Sequence, residues 1–290
     1  NNRKKQFAMS KEVTTGVSKT QYQEDDSMFG VYADLIKNRK SYYKNIIRPG
    51  YFSWLIGQMS QWSKFSWGLV ITNSLLQTYI VITSLMTADT TTKVVAAIAG
   101  FLGAVLSVMC VIGIANRSSI QGYFGITSAI AIATSAILSH LYANAIEQLL
   151  IYIPFLDIPS ILHPSWAEKI VPRKFESIAQ WIEYIVFALI SWGILAIIFS
   201  LTDDKLFITD SLTLAISLSA SLIMLNRYSN QYYFWLAGNA VSIVLYFQAL
   251  MQGTATAALA VSYTFFVINS TYGLFAWTKS VNAMKKQVQS

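Results

Sequence analysis

Charged residues, cysteine and the signatures of the major enzyme classes are scarce in this chain. Only 12% of the 290 residues are charged, and the one cysteine, Cys110, has no partner, which excludes disulfides and cysteine-rich metal sites. There is no glycine-rich phosphate loop, no HExxH motif and no Cys or His pair at metal-binding spacing. The two histidines, His140 and His163, stand alone near expected helix ends. We therefore predict that the chain is not an enzyme and needs no metal or cofactor.

Hydrophobic residues are abundant, at 54% of the sequence, which is too apolar for a soluble domain of this length. A helix needs roughly 20 apolar residues to cross a bilayer. Seven clear spans are predicted, at 65–87, 94–115, 120–142, 178–201, 207–225, 230–251 and 254–277. An eighth, at 143–162, contains Pro154 and Pro159, so a broken or kinked helix is predicted there rather than a loop.

The segment NRSSIQGYF at 116–124 recurs 110 residues later as NRYSNQYYF at 226–234. Two parallel copies need an even number of spans between them, and four fit. The predicted fold class is an all-α integral membrane protein of about eight transmembrane helices. It has one extra N-terminal helix (65–87), a first three-helix repeat (94–162), a linker helix (178–201) and a second, parallel three-helix repeat (207–277).

Basic residues lie almost entirely on the side of the membrane that holds both termini. That side has nineteen of the 21 lysines and arginines, which predicts cytoplasmic termini in a multi-pass protein. Residues 1–64 are predicted to form a basic tail, mobile or surface-lying up to about residue 50, followed by an interfacial helix at 51–62; residues 278–290 form a second cytoplasmic tail. The net charge of +7 is attributed to topology and to contact with anionic membrane lipids, not to nucleic acid.

Polar stripes inside the spans indicate where a solute binds, because polar groups in hydrocarbon are costly without a cavity or a partner. Trp235, Asn239, Ser242 and Tyr246 fall at i, i+4, i+7 and i+11, on one helix face. Asn239 is roughly 13 Å deep at about 1.5 Å per residue. Helix packing, with the Asn and Ser bonded to a neighbour, is the alternative interpretation.

Two further stripes are expected. The fourth span has Asn144, Gln148 and Tyr152 on one face, with Glu147 pointing about 100° away toward the outer surface. The last span has Ser262, Asn269 and either Tyr272 or Gly273, and it ends at Trp277, which is interpreted as an interface anchor. The predicted substrate-binding residues are Gln148, Tyr152, Trp235, Asn239, Ser242, Tyr246, Asn269 and Tyr272.

The chemistry of these stripes restricts the ligand. Aromatic faces and neutral amides, with no Lys or Arg in any span, favour a flat or cationic ring that carries hydroxyl or amide groups. Phosphate and carboxylate ligands fit poorly, because they require buried cations or helix-end donors. An unphosphorylated, nucleoside-like vitamin meets these demands.

The segments NQYYFWLAGNAVSIVLYF (230–247), GYFGITSA (122–129) and LYANAIEQ (141–148) resemble motifs of the PnuC nicotinamide riboside transporters and of their relatives for thiamine and riboflavin. The likeness covers about 94–280. It implies a fold similar to the sugar-transporting SWEET proteins and places Gln148, Trp235, Asn239 and, less directly, Asn269 in the site. One departure is IPSILHPSW, with only Trp166, where the family has a Trp-rich stretch.

The resemblance also implies facilitated diffusion of nicotinamide riboside across a bacterial cytoplasmic (inner) membrane, a homotrimer, and dependence on a cytoplasmic kinase that traps the vitamin. The sequence agrees with uncoupled transport, since no chain of buried acids suits an ion relay. Transport of thiamine or riboflavin is the alternative within the same class. A membrane scaffold or receptor is an alternative from another class.

Overall fold

The structure, a computed structural model, describes residues 27–138, 145–167, 170–201, 206–251 and 257–289. Within these ranges the chain is helical and has no β-strand; an isolated parallel β-bridge joins Arg173 and Tyr228. The predicted all-α class is confirmed. The helices are α1 (Gly30–Ile46), α2 (Tyr51–Gly57), a 3-10 turn (Gln58–Gln61), α3 (Lys64–Thr87), α4 (Thr91–Ala115), α5 (Gln121–Leu138), a π-helix (Glu147–Asp157), α6 (Ile158–Leu162), α7 (Pro164–Ala167), α8 (Ile178–Ser200), α9 (Phe207–Leu225), α10 (Gln231–Met251) and α11 (Ala257–Gln289).

Five helices of the described part are long and apolar enough to cross a membrane, namely α3, α4, α5, α8 and α9. Helix α8 buries the least of its surface: Tyr184 is its one buried residue, whereas Ile182, Leu189 and Ile197 are exposed. A helix that is apolar all round and exposed along its length is stable only in lipid or against another apolar surface. Ser177 and Gln180 close its N-terminus with a capping box.

The long helices form two groups of three. Helices α4 and α5 pack on each other and α5 packs on the π-helix, while α9, α10 and α11 pack in the same sequential way. Contacts of α11 with α4 and of α9 with the π-helix join the groups, and α8 lies against α9.

Helix α3, the predicted extra N-terminal helix, lies against α4 and α11. Two buried amides hold it there. Asn73 donates to the carbonyl of Ala104 on α4, and Gln77 donates to the Ala258 carbonyl (3.0 Å) and the Ser262 hydroxyl (3.3 Å) on α11. Such interhelical bonds are a common way of joining helices in a membrane, so α3 is attached to both groups.

The two copies of the repeated motif end α4 and α9 in the same way. Arg117 and Arg227 adopt the left-handed conformation, with φ of 55° and 61°, where glycine is usual. In the first copy the Ser118 amide donates to the carbonyl of Gly113, and the second copy has the corresponding bond from Tyr228. Both are Schellman motifs. The matching geometry shows that the sequence match extends to the backbone.

Two tryptophans connect these helix ends. Trp166 Nε1 donates to the carbonyl of Leu225, at the end of α9, and Trp277 Nε1 donates to that of Ile114, at the end of α4, each at 3.1 Å. Their ring centroids are 6.3 Å apart, and both side chains are fully buried. Both motif loops therefore lie at the same end of the molecule. The interpretation of Trp277 as an interface anchor is wrong. The Trp277 indole lies in the core, where α11 packs on α4.

Part of the expected tail forms α1, which packs against the buried group that contains Trp166 and Trp277. Val31, Leu35 and Tyr42 recur at helical spacing, are buried and contact the group that includes Trp166 and Trp277. The expectation of a mobile or surface-lying tail up to about residue 50 is therefore corrected for this part. Residues 1–26 lie outside the described residues. The segment expected to lie in the interface, 51–62, is helical over most of its length.

Candidate functional site

A cavity of about 150 Å³ lies between the two groups of helices, with α4, α5 and the π-helix on one side and α9, α10 and α11 on the other. This is room for roughly five water molecules at about 30 Å³ each. Six of the eight residues predicted to bind substrate line it, namely Gln148, Tyr152, Trp235, Asn239, Ser242 and Asn269.

Helix α10 contributes the stripe predicted from its spacing. Trp235, Asn239 and Ser242 all face the cavity, and the last two are buried. The Asn239 amide donates to the hydroxyl of Ser270 on α11 at 3.2 Å. This is a bond of the kind that the alternative interpretation, helix packing, predicts. The Trp235 indole donates within its own helix to Gln231 at 3.3 Å, which leaves its half-buried ring face beside the cavity.

Helix α11 contributes Asn269, which is 1% exposed. Its amide nitrogen donates to the carbonyl of Val111 at 2.8 Å, whereas its Oδ1 has no partner among the described residues. Tyr263 and Phe266 also line the cavity, and their rings meet edge to face at 5.2 Å. Neither residue was among the predicted substrate-binding residues, although Ser262, Phe266 and Asn269 recur at i, i+4 and i+7.

Two predicted residues are not placed in the lining. The side chain of Tyr246 lies outside the described residues. Tyr272 faces away from the cavity and packs on Phe65 of α3, with ring centroids 5.0 Å apart. The neighbouring Gly273 faces inward, where an added Cβ would be 2.3 Å from the ring of Tyr232, a cavity residue.

The π-helix changes which residues of the fourth span face the cavity. Its hydrogen bonds join residues five apart, so a residue and the one five positions further on lie on a similar side of it. Glu147, Tyr152 and Asp157 have this spacing, and all three line the cavity. The expectation that Glu147 points to the outer surface is wrong, because it assumed α-helical geometry. The π-helix contains Pro154, which cannot donate a backbone hydrogen bond; the prediction of a helix rather than a loop holds here.

The charge of the cavity is one-sided. Among the described residues that line it there is no Lys, Arg or His, whereas Glu147 and Asp157 are both present. The Tyr152 hydroxyl donates to the carboxylate of Glu147 and accepts from Ser217 of the opposite group. Asp157 is buried and Glu147 half-buried, and two such acids without a basic partner in the described lining are unusual.

His163, to which no role was assigned, lies outside the cavity beyond the end of α6. Its Nε2 is 3.1 Å from Asp34 of α1 and its Nδ1 is 2.7 Å from the hydroxyl of Ser165. Burial lowers the pKa of His163 to about 4 from its usual 6.5, and the nearby Asp34 only partly offsets this effect. The residue therefore helps to attach α1 in its neutral form.

A family model described as nicotinamide mononucleotide transporter matches residues 97–279, which include both helix groups. The chain belongs to this family. The resemblance seen in the sequence is thus confirmed, and the protein is a multi-pass membrane transporter, not an enzyme. The matched residues include the whole described cavity lining.

Two curated relatives and one solved structure agree with this assignment. The nicotinamide riboside transporter PnuC of Neisseria mucosa is 25% identical over 189 residues, or 62% of this chain and 72% of that protein. PnuC of Haemophilus influenzae is 35% identical over 72 residues, or 25% of this chain and 29% of that protein. The crystal structure of the vitamin B3 transporter PnuC matches with a TM-score of 0.63 and 19% identity over 84% of this chain and 98% of that chain, which shows a common fold.

Proposed function

We propose that this member of the family carries nicotinamide riboside across a bacterial cytoplasmic membrane by facilitated diffusion. The observation that carries the proposal is a cavity between two helix groups, lined by an indole and neutral amides and without a basic residue in its described lining. A non-transporting scaffold, in which the polar stripes only join helices, would not need an open space beside Asn239.

The family is described by nicotinamide mononucleotide and the relatives by nicotinamide riboside. The absence of basic residues from the described lining favours the riboside. A mononucleotide carries a phosphate, and proteins hold phosphates with Arg, Lys or helix N-termini. The described lining offers none of these side chains, and its two carboxylates would repel the phosphate. The riboside, with a cationic ring and no phosphate, suits this lining.

The side chains assign roles within the site. We place the pyridinium ring against the face of Trp235, because a desolvated cation on an indole gains about 2 kcal/mol. Gln148 and Asn239 are placed to bond the carboxamide or the ribose. The open Oδ1 of Asn269 accepts a hydrogen bond from the same groups. Tyr152 and Ser242 complete the walls, and Tyr272 is left out because its ring packs on α3.

Transport would follow from rocking of the two helix groups about the bound vitamin. This finer architecture is part of the proposal: eight spans, two parallel repeats of three helices, and both termini in the cytoplasm. Its support is the shared Schellman geometry of the two motif loops and their position at one end of the molecule. We also keep the homotrimer and the trapping kinase as expectations from the family, and the contact with anionic lipids as an expectation from the net positive charge.

Binding to purified protein tests the site. Truncation of Trp235 to Ala should weaken nicotinamide riboside binding at least tenfold in a calorimetric titration, since the stacking energy exceeds the 1.4 kcal/mol that a factor of ten represents. Trp192→Ala is the matched control, because this tryptophan lies on α8 outside the cavity lining. Unchanged affinity in the Trp235 variant would remove this residue from the site.

A ligand panel tests the substrate. Thermal unfolding of the intact protein should shift upward with nicotinamide riboside and stay unchanged with its phosphorylated form. Thiamine and riboflavin are the remaining arms, and a larger shift with either would replace the proposed substrate. Uptake of the best ligand into proteoliposomes, without a pH or sodium gradient, should then reach equilibrium but not accumulate.

A further inference from the structure

Two carboxylates face the cavity, and neither has a role in binding the vitamin among the contacts proposed above. Glu147 and Asp157 lie at opposite ends of the π-helix, with Tyr152 midway between them. Glu147 accepts a hydrogen bond from Tyr152. Asp157 is 2% exposed and forms no ion pair among the described residues. Proteins rarely bury a carboxylate without a partner, because its desolvation is costly.

The position of Asp157 is fixed by its neighbour on α5. An added Cβ at Gly125 would be 1.9 Å from Oδ1 of Asp157 and 2.5 Å from its Cγ. The carboxylate therefore occupies the space that any larger residue at position 125 would fill. Since the other side of Asp157 borders the cavity, its carboxyl group faces whatever binds there.

Two neighbouring polar atoms independently indicate a ligand. The Oδ1 atom of Asn269 and the hydroxyl of Tyr232 have no hydrogen-bond partner within the described part of the chain. Their residues are 1% and 2% exposed, and both line the same cavity. Buried polar atoms are normally satisfied, so these two are positioned for bonds that a solute supplies.

We propose that Asp157, together with Glu147, supplies the counter-charge for a cationic ring and thereby makes the transporter select cationic vitamins over neutral analogues of the same shape. This inference rests on the proposed function. It adds two specificity-determining residues to a site otherwise composed of neutral amides and aromatic rings. It also gives the two acids in this apolar span a role, because the single positive charge of the ring offsets one of their two negative charges when the substrate is bound.

The experiment compares two ligands that differ mainly in charge, nicotinamide riboside and its reduced dihydropyridine form, which is neutral. Calorimetric titration of the intact wild-type protein should give at least a tenfold preference for the cation. Asp157→Asn should reduce that preference at least tenfold, with the affinity for the neutral form changed by less than twofold. Glu147→Gln should act in the same direction but less strongly, because Tyr152 already donates to Glu147.

Two variants serve as controls for charge and position. Glu183→Gln removes one carboxylate from α8, at an exposed site outside the cavity, and should leave both affinities unchanged. Gly125→Ala keeps the charge but displaces the Asp157 side chain, so it should also reduce the preference for the cation.

The outcomes separate the two proposals. A wild-type protein that binds neither ligand refutes the proposed function. A wild-type protein that binds both equally, or a folded Asp157→Asn variant that keeps the full preference, overturns the counter-charge while the transport function stands. If the Asp157 variant does not fold, the wild-type ratio and the Glu147→Gln variant still decide.

Discussion

Replacing Trp166 or Trp277 by Phe should destabilise the protein to different extents, although the two tryptophans have similar surroundings. Both indoles are fully buried, and both donate at 3.1 Å to the carbonyl of a helix end. The carbonyl of Ile114 also accepts the Arg117 amide at 3.0 Å, so it keeps a partner in Trp277→Phe. The carbonyl of Leu225 is buried and has no other acceptor bond among the described residues.

The magnitude follows from this difference. Loss of a hydrogen bond whose acceptor stays satisfied costs about 1 kcal/mol, whereas a buried acceptor left without a partner costs about 2 kcal/mol. Both variants also lose the same part of the ring, and this contribution cancels in the comparison. Trp166→Phe should therefore unfold at a lower temperature than Trp277→Phe, by about 2–4 °C.

Thermal unfolding of the detergent-solubilised protein, followed by circular dichroism, measures both variants. Trp181→Phe is the control for loss of ring mass, because the Trp181 indole donates no hydrogen bond within the described chain and contacts other rings instead. Equal unfolding temperatures for Trp166→Phe and Trp277→Phe, or a lower one for Trp277→Phe, would refute the reasoning that Trp166→Phe leaves the Leu225 carbonyl without a partner.

Two further predictions concern the cavity wall and the attachment of α1. Gly273→Ala should push the ring of Tyr232 out of place, lowering stability by about 1–3 kcal/mol and weakening vitamin binding, whereas Gly193→Ala, with open space around it, should do neither in the same titration and melt. Between pH 6.5 and about 4, stability should fall as pH falls, because the unfolded chain protonates His163 and the folded one, with its lowered pKa, does not. The melting temperature of His163→Gln should lack this contribution, and identical pH profiles would contradict it.

Much of the helical framework was predictable because hydrophobic runs of membrane length have few alternative structures. The predicted span at 178–201 corresponds to Ile178–Ser200, and that at 207–225 to Phe207–Leu225. The stripe of Trp235, Asn239 and Ser242 was predictable for a related reason. An α-helix fixes which residues share a face. Polar side chains inside a membrane span face either a cavity or a hydrogen-bonding partner, because exposure to hydrocarbon is costly.

The missed features depend on tertiary contacts or on a change of helix type. Glu147 faces the cavity because this span is a π-helix. The angle between side chains expected for an α-helix placed it on the outer surface instead. Trp277 ends the predicted span, where an interface anchor is the common role, but α11 continues past it to Gln289 and its indole meets a carbonyl of α4. The attachment of α1 did leave a sequence signal: Val31, Leu35 and Tyr42 have helical spacing among charged residues.

The five-residue spacing of Glu147, Tyr152 and Asp157 has an evolutionary consequence. Deleting one residue from each interval would bring the three to a spacing of four, at which an ordinary α-helix keeps them on one face. The same wall can thus be built from a shorter segment. We therefore expect relatives to differ in length inside this membrane-embedded helix, where insertions and deletions are otherwise rare, without losing the side chains that face the vitamin.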